Sequence, residues 1–252
     1  HSFPTRRSSD LFSSIISSIA FLYICRLNLL FPALISTYSQ SNNESSRTEE
    51  SLTKIIGIFT FPYSFSISSN NRYIVFSSSD AGLVSGDTNG AYDVFVRDLQ
   101  IVSTIRLGQR ILPIAPINNG SYAPSISSDN RYIVFVSQAD NLVVGDTNNK
   151  ADIFVQDVQL NTITRISVDS SWNESNGHSR NPVILGDGQY VLFESEASNL
   201  VSNDTNNASD IFIRDVQNGS TFRASNGDSG IESDGNSTDA LFNGDIANPI
   251  LV

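Results

Sequence analysis

The most regular arrangement of oxygen donors in this 252-residue sequence is a triplet that occurs three times: Asp87, Asn89 and Asp93; Asp146, Asn148 and Asp152; Asp204, Asn206 and Asp210. In each triplet the donors stand at positions i, i+2 and i+6. Side-chain oxygens two residues apart on a tight loop can converge on one point, as in calcium loops, where carbonyls and water complete a shell of about six to eight oxygens. The spacing departs from an EF-hand, because Ala91, Lys150 and Ala208 stand at its third ligand position and its turn position holds no glycine. Asp98, Asp157 and Asp215 fall at the twelfth place, but an extended run separates each from its loop. The competing reading is structural. Asp and Asn cap their own backbone in Asx turns, and the aspartate at i+6 opens the next strand. Calcium is thus the one cofactor the pattern admits.

Catalytic constellations are sparse. His178 is followed by Ser179, but sequence neighbours rarely reach base-to-nucleophile geometry, and the pair reads as a solvated loop. Asn181 stands where a Gly-x-Ser-x-Gly elbow around Ser179 would need a glycine. Trp172, the single tryptophan, lies in the same loop. Exposed, its ring would be a recognition anchor; buried, a contact between structural units. Glu194 and Glu196 point to one side of a strand, while Glu232 and Asp234 read as solvated loop.

Composition narrows the partners. Lys and Arg number 15 against 26 Asp and Glu, a formal charge of −11, and such a chain is repelled by phosphate backbones and anionic headgroups. Nucleic acid is excluded as a partner, and a membrane could be met only through the N-terminal apolar segment. One cysteine, Cys25, makes neither an internal disulfide nor a cysteine-based zinc site. With 39% hydrophobic residues, including 15 Phe and 8 Tyr, stability comes from an ordinary core.

The chain opens at His1 and contains no methionine, so it reads as a fragment. Residues 1–11 have the character of a non-native, adapter-like segment. Residues 12–38 are mostly apolar and match an export signal, with Ala33, Ser36, Thr37 and Ser39 as small residues near a cut, a membrane anchor in which Arg26 would be costly to bury, or a buried helix. A hydrophobic helix is expected there, followed by a polar linker over 39–57. The first two readings lead to the expectation of an exported protein, whether periplasmic, cell-surface or secreted.

From residue 58 the sequence repeats. Asn71-Arg-Tyr-Ile-Val-Phe76, Asn130-Arg-Tyr-Ile-Val-Phe135 and Gly188-Gln-Tyr-Val-Leu-Phe193 are each followed by the Asp-Thr-Asn loop and by Asp93–Asp98, Asp152–Asp157 or Asp210–Asp215. Equivalent loop aspartates lie 59 and 58 residues apart. Units are expected at 58–117, 118–176 and 177–244, with a truncated fourth from 245, where Pro249-Ile-Leu-Val252 echoes Pro182-Val-Ile-Leu185. The second unit reads as four strands near Ala123–Ser127, Tyr132–Gln138, Asp152–Val158 and Ile163–Val168. Asp129-Asn130, Asp187-Gly188 and Asn218-Gly219 supply tight hairpin turns. Phe154 faces one side of its strand and Ile153 and Val155 the other; in the strand before it, Tyr132 and Val134 oppose Ile133 and Phe135. A sheet apolar on both faces must be stacked between sheets of its own kind, which is how propeller blades pack. The expected fold is all-β, a partial β-propeller of four-stranded antiparallel blades.

The run from Pro124 through Phe135, with the later Gly-Asp-Thr-Asn and Asp-Ile-Phe-Val elements, resembles the WD-like propeller repeat of TolB-type proteins over residues 58–252. The resemblance implies an exported bacterial propeller used as a docking surface for a protein or glycan, without catalysis of its own. It also leaves open the propeller domain of a larger enzyme, such as a serine peptidase, in which similar blades serve as gates.

Overall fold

The computed structural model describes residues 65–108, 117–227 and 230–239. The expected N-terminal helix and linker lie outside them, as do residues from 240 onward. Twelve strands and no α-helix occur among the described residues. Strands β1 (Phe65–Ile67), β2 (Tyr73–Ser78), β3 (Asp93–Asp98) and β4 (Ser103–Arg106) form one antiparallel sheet in sequential order. The second sheet is β5 (Ser121–Ile126), β6 (Tyr132–Ser137), β7 (Asp152–Asp157) and β8 (Thr162–Arg165). The third is β9 (Ser179–Leu185), β10 (Tyr190–Ser195), β11 (Asp210–Asp215) and β12 (Ser220–Arg223).

Local chemistry sets each turn. Between the first two strands of each sheet the chain passes through the left-handed region at Asn71, Asn130 and Gly188, with φ of 57°, 64° and 95°. The serine before the turn adds a clamp: Tyr73 N donates to Ser68 Oγ at 2.8 Å and Tyr132 N to Ser127 Oγ at 2.9 Å. The turns into β4, β8 and β12 are capped by Asp98, Asp157 and Asp215. Each turns one carboxylate oxygen onto two successive backbone N–H groups, Gln100 and Ile101 in the first sheet, Gln159 and Leu160 in the second, and Gln217 and Asn218 in the third. The twelfth-position aspartates are therefore turn caps. Arg72 and Arg131 hold the other oxygen of Asp98 and Asp157, each at 2.7 Å. A side-chain hydrogen bond from Arg72 is the main reason the Asp98 carboxyl is lowered to about 2.

The two-faced apolar pattern has the expected consequence. Ile133, Phe135 and Phe154 of the middle sheet share a buried core with Val75, Val94 and Val96 of the first. Val134, Val136, Ile153 and Val155, on the opposite face, share another with Ile184, Val191, Phe193 and Phe212 of the third. The stacked rings Phe76–Phe95, Phe135–Phe154 and Phe193–Phe212, at 5.7, 6.0 and 5.8 Å, recur at one place in every sheet. Three consecutive four-stranded sheets stacked face to face are propeller blades. One backbone hydrogen bond hooks each blade to the start of the next: Ser121 N to Tyr92 O at 2.6 Å, Ser179 N to Ala151 O at 2.8 Å and Ser237 N to Ser209 O at 2.7 Å. Ser237 thus occupies the register of Ser121 and Ser179, upstream of the boundary at 245 read from Pro249.

Strand lengths differ from the expected ones at β8, which stops at Arg165 rather than Val168. Ile166 N still donates to Ile153 O at 2.7 Å, but Ile153 N turns to Ser167 Oγ at 3.0 Å, so a side chain replaces the ladder there.

Position 102 tests the turn chemistry. Val102, Asn161 and Gly219 occupy the same left-handed place, with φ of 56°, 52° and 68°, and only the valine is β-branched. Val102→Asn is expected to raise unfolding stability by about 1 kcal/mol. A denaturant midpoint equal to or below the parent's would refute it.

Candidate functional site

The loops between the second and third strands of each blade bring the i and i+6 carboxylates together, as their spacing requires. A cation lies between them, and it is an arginine from the last strand of the same blade. Arg106 Nη1 lies 2.9 Å from Asp87 Oδ1 and 3.3 Å from Asp93 Oδ2. Arg165 Nη1 lies 3.2 Å from Asp146 Oδ1 and 3.8 Å from Asp152 Oδ2. Arg223 Nη1 lies 3.5 Å from Asp204 Oδ1 and 3.6 Å from Asp210 Oδ2. All nine side chains are largely buried. The arginines recur 59 and 58 residues apart, as the aspartates do.

The middle residue of each triplet works as a splice rather than a ligand. Asn148 Oδ1 accepts Lys150 N at 2.9 Å, closing an Asx turn, while its Nδ2 donates to Asp152 Oδ2 at 2.9 Å and to Ser175 O at 3.0 Å. Asn206 repeats these bonds with Ala208, Asp210 and Ser233, and Asn89 with Ala91, Asp93 and Ile117. Each asparagine therefore ties its loop to the segment leading into the next blade. The other oxygen of Asp152 accepts from Ser167 and Ser175, and that of Asp210 from Ser225.

In the second and third loops a glutamate from the inter-blade segment joins the arginine. Glu174 lies 3.0 Å from Arg165 Nη1 and accepts from both Thr147 N and Thr147 Oγ1. Glu232 lies 2.7 Å from Arg223 Nη1 and accepts from Thr205 N and Oγ1, each at 2.7 Å, and from Asn206 N. The expectation that Glu232 is solvated loop is corrected here. Hydrogen bonds from the Thr205 hydroxyl and backbone, with Arg223, lower its carboxyl to about 2. The sequence carries the signal: Glu174-Ser-Asn-Gly177 and Glu232-Ser-Asp-Gly235 stand 58 residues apart. Pro116 holds the equivalent place in the first unit.

One guanidinium cannot neutralise three carboxylates out of water, and the acids respond accordingly. Burial, then repulsion from Asp152, pushes Asp146 up to about 6 despite Arg165. Asp93, Asp152 and Asp204 are also raised, with burial the largest cause in each. Among the described residues no group of three or more Asp, Glu, His or Cys side chains is disposed to hold a metal ion. A calcium ion at these loops would have to displace a guanidinium.

The remaining candidates fall apart from one another. His178 is exposed and its Nδ1 accepts Ala151 N at 3.0 Å, while Ser179 Oγ donates to Ser195 Oγ at 3.0 Å in a buried pair that repeats Ser121–Ser137. Neither is the other's partner. Glu194 and Glu196 do share a partner, Arg180, whose Nε lies 3.0 Å from Glu194 and whose Nη1 bonds Glu196. Trp172 is 52% exposed and stacks on Arg214, whose guanidinium carbon lies 4.4 Å from the ring centroid.

Several solved propellers resemble this chain. TolB from Acinetobacter baumannii is 17% identical with a TM-score of 0.41, the match covering 67% of this chain and 33% of that one. A TolB protein from Agrobacterium tumefaciens is 15% identical at 0.43, covering 66% and 50%. The β-propeller domain of the trilobed protease from Pyrococcus furiosus is 12% identical at 0.37, covering 64% and 41%. The chain thus spans a third to a half of the length of these three structures. No family model matches it, and no curated relative does. Nothing about activity follows from likeness at this level, and the blade architecture stands on the strand pairing and shared cores.

Two outcomes follow from the buried charges. Asp146 is raised above its unfolded value, so its contribution to stability is present below about pH 4 and is lost as pH rises through about 6. Between pH 4.5 and 7.5 the stability of the parent relative to Asp146→Asn should therefore fall; parallel denaturation profiles would show the carboxyl to be unshifted. Arg165→Gln should cost about 3 kcal/mol by stranding three carboxylates. Calorimetry with and without millimolar calcium should leave the parent's Tm unchanged and recover part of the loss in the variant. A calcium-dependent rise in the parent would instead assign the loops to the ion.

Proposed function

We propose that this chain is a non-catalytic β-propeller binding module of an exported protein, engaging a protein or glycan partner through residues displayed at its turns and inter-blade loops. The observation that carries the reading is the division of labour among its polar groups. The recurring charged and amide side chains, which looked most like a site, are turned inward onto Arg106, Arg165, Arg223 and the inter-blade backbone. Among the residues displayed outward, with many polar ones, are apolar and aromatic side chains: Ile101, Val102 and Leu160 at turns into the last strands of their blades, and Trp172 at the tip of an inter-blade hairpin. Exposed aromatic and branched residues on a rigid scaffold suit recognition. The net charge of −11 disfavours anionic polymers.

The chain, immobilised and presented to arrays of oligosaccharides and of extracellular proteins, should bind a ligand saturably, and the recovered ligand should be chemically unchanged. Turnover of the ligand by the chain itself would move the assignment to an enzyme. Absence of any saturable ligand on both arrays would remove the binding-module reading.

A further inference from the structure

Trp172 stands where the third unit carries glycine. Its hairpin, closed by the Val168–Glu174 bridge, is matched 58 residues later by the hairpin closed by Asn226–Glu232, and the residue equivalent to Trp172 is Gly230. Both are left-handed, with φ of 66° and 73°, and both donate N–H to the residue three positions back, Asp169 or Gly227, at 3.1 Å. A bulky L-residue is strained in this conformation. The neighbouring blade is adapted to receive it. Gly219, where the other blades carry Val102 and Asn161, lies under the indole, and a Cβ there would stand 3.4 Å from the ring.

Beneath the ring is Arg214, fully buried. Its Nη1 donates to Asp169 O at 2.8 Å and to Thr221 Oγ1 at 2.9 Å, while Nε and Nη2 meet no hydrogen-bond acceptor. The hairpin is fastened on the same side by Thr221 Oγ1 to Val168 O and Thr221 N to Ser170 Oγ. One indole face is thus covered by a guanidinium, while the residue as a whole stays 52% exposed. Exposed Ser171 and Asn173 flank it in sequence, and Asn218 precedes the glycine on which it rests.

We propose that Trp172 is a stacking platform for a pyranose ring of a neutral oligosaccharide. This rests on the binding-module reading and names its ligand class. A pyranose presents C–H groups on its face and hydroxyls at its rim, the complement of a flat indole set among hydroxyl and amide side chains. A protein anchor would instead want an apolar, desolvated pocket, whereas Arg214 and Gly219 lie at this ring and Ser171 and Asn173 flank it in sequence. Neutral sugars are favoured over uronates by the acidic chain, with Asp169 and Asp215 close to Arg214.

Because Trp172 is the only tryptophan, its emission reports on the site alone. The 252-residue chain is titrated with cellohexaose, chitohexaose, mannohexaose and, for contrast, trigalacturonate. At least one neutral hexasaccharide should shift the emission saturably and protect it from acrylamide, with trigalacturonate weaker. Trp172→Gly, which installs the residue found at 230, should keep the parent's melting behaviour and weaken retention of that hexasaccharide in an affinity gel by about tenfold or more. No response to any neutral hexasaccharide, or equal retention by Trp172→Gly, overturns the proposal. If the protein array then yields a saturable ligand, the binding-module reading stands without the glycan; if neither array does, both fall.

Discussion

A four-stranded sheet that is apolar on both faces cannot exist alone in water, and everything else in this structure follows from that constraint. Phe135 and Phe154 on one side and Val134, Val136, Ile153 and Val155 on the other are all essentially inaccessible to solvent. Each such side chain contributes roughly 1.5–3 kcal/mol when fully buried, and the first set realises it only against the preceding blade, the second only against the following one. The cooperative unit is therefore the interface between blades. Its two sides are cut from one repeat, so whatever fixes the angle between successive blades must itself recur.

The recurring devices that do so are polar. The hook from Ser121, Ser179 or Ser237 to the preceding blade sets the spacing of the innermost strand, and the Asn89, Asn148 and Asn206 amides reach a carbonyl in the inter-blade segment of the same unit. Arg165 and Arg223 draw that segment further inward through Glu174 and Glu232. Burying ion pairs is a poor source of net stability, because desolvation offsets the attraction, but a charge left without its partner is severely unfavourable. Such a network discriminates between packings more than it stabilises any one of them. That suits an architecture whose apolar faces are alike enough to tolerate slippage.

The architecture is legible in the sequence because it rests on period-two alternation and on turn dipeptides, both local. Asn130, Gly188 and Gly219 lie in the left-handed region where Asp-Asn, Asp-Gly and Asn-Gly place them. The candidate site is half legible. The carboxylates converge as their spacing requires, but their counter-charge comes from Arg165, thirteen residues past Asp152 and on the neighbouring strand of the sheet. A search for oxygen donors looks past a guanidinium, although Arg106, Arg165 and Arg223 keep the same register as the aspartates. Glu232 reads as solvent-facing in the sequence because its partners, Thr205 and Arg223, belong to a loop and a strand that only the folded blade brings near it.

The two bulky residues in left-handed turns separate strain that is tolerated from strain that is used. Val102 and Trp172 each incur about 1–2 kcal/mol by having a Cβ where glycine or asparagine would sit more easily. Val102 is 63% exposed and its turn is already closed by Asp98, so nothing in the contacts of that turn calls for valine. Trp172 is met in the next blade by a glycine at 219, where the other blades carry valine and asparagine, and by the guanidinium of Arg214, which recurs in the first blade as Arg97 with the same bond to a threonine hydroxyl. A cation–π contact to a buried guanidinium returns about 1–2 kcal/mol, of the same order as the backbone strain. The strain at 172 is thus answered by contacts under the ring that the glycine at 230 could not make, and the exposed half of the indole is the part those contacts do not use.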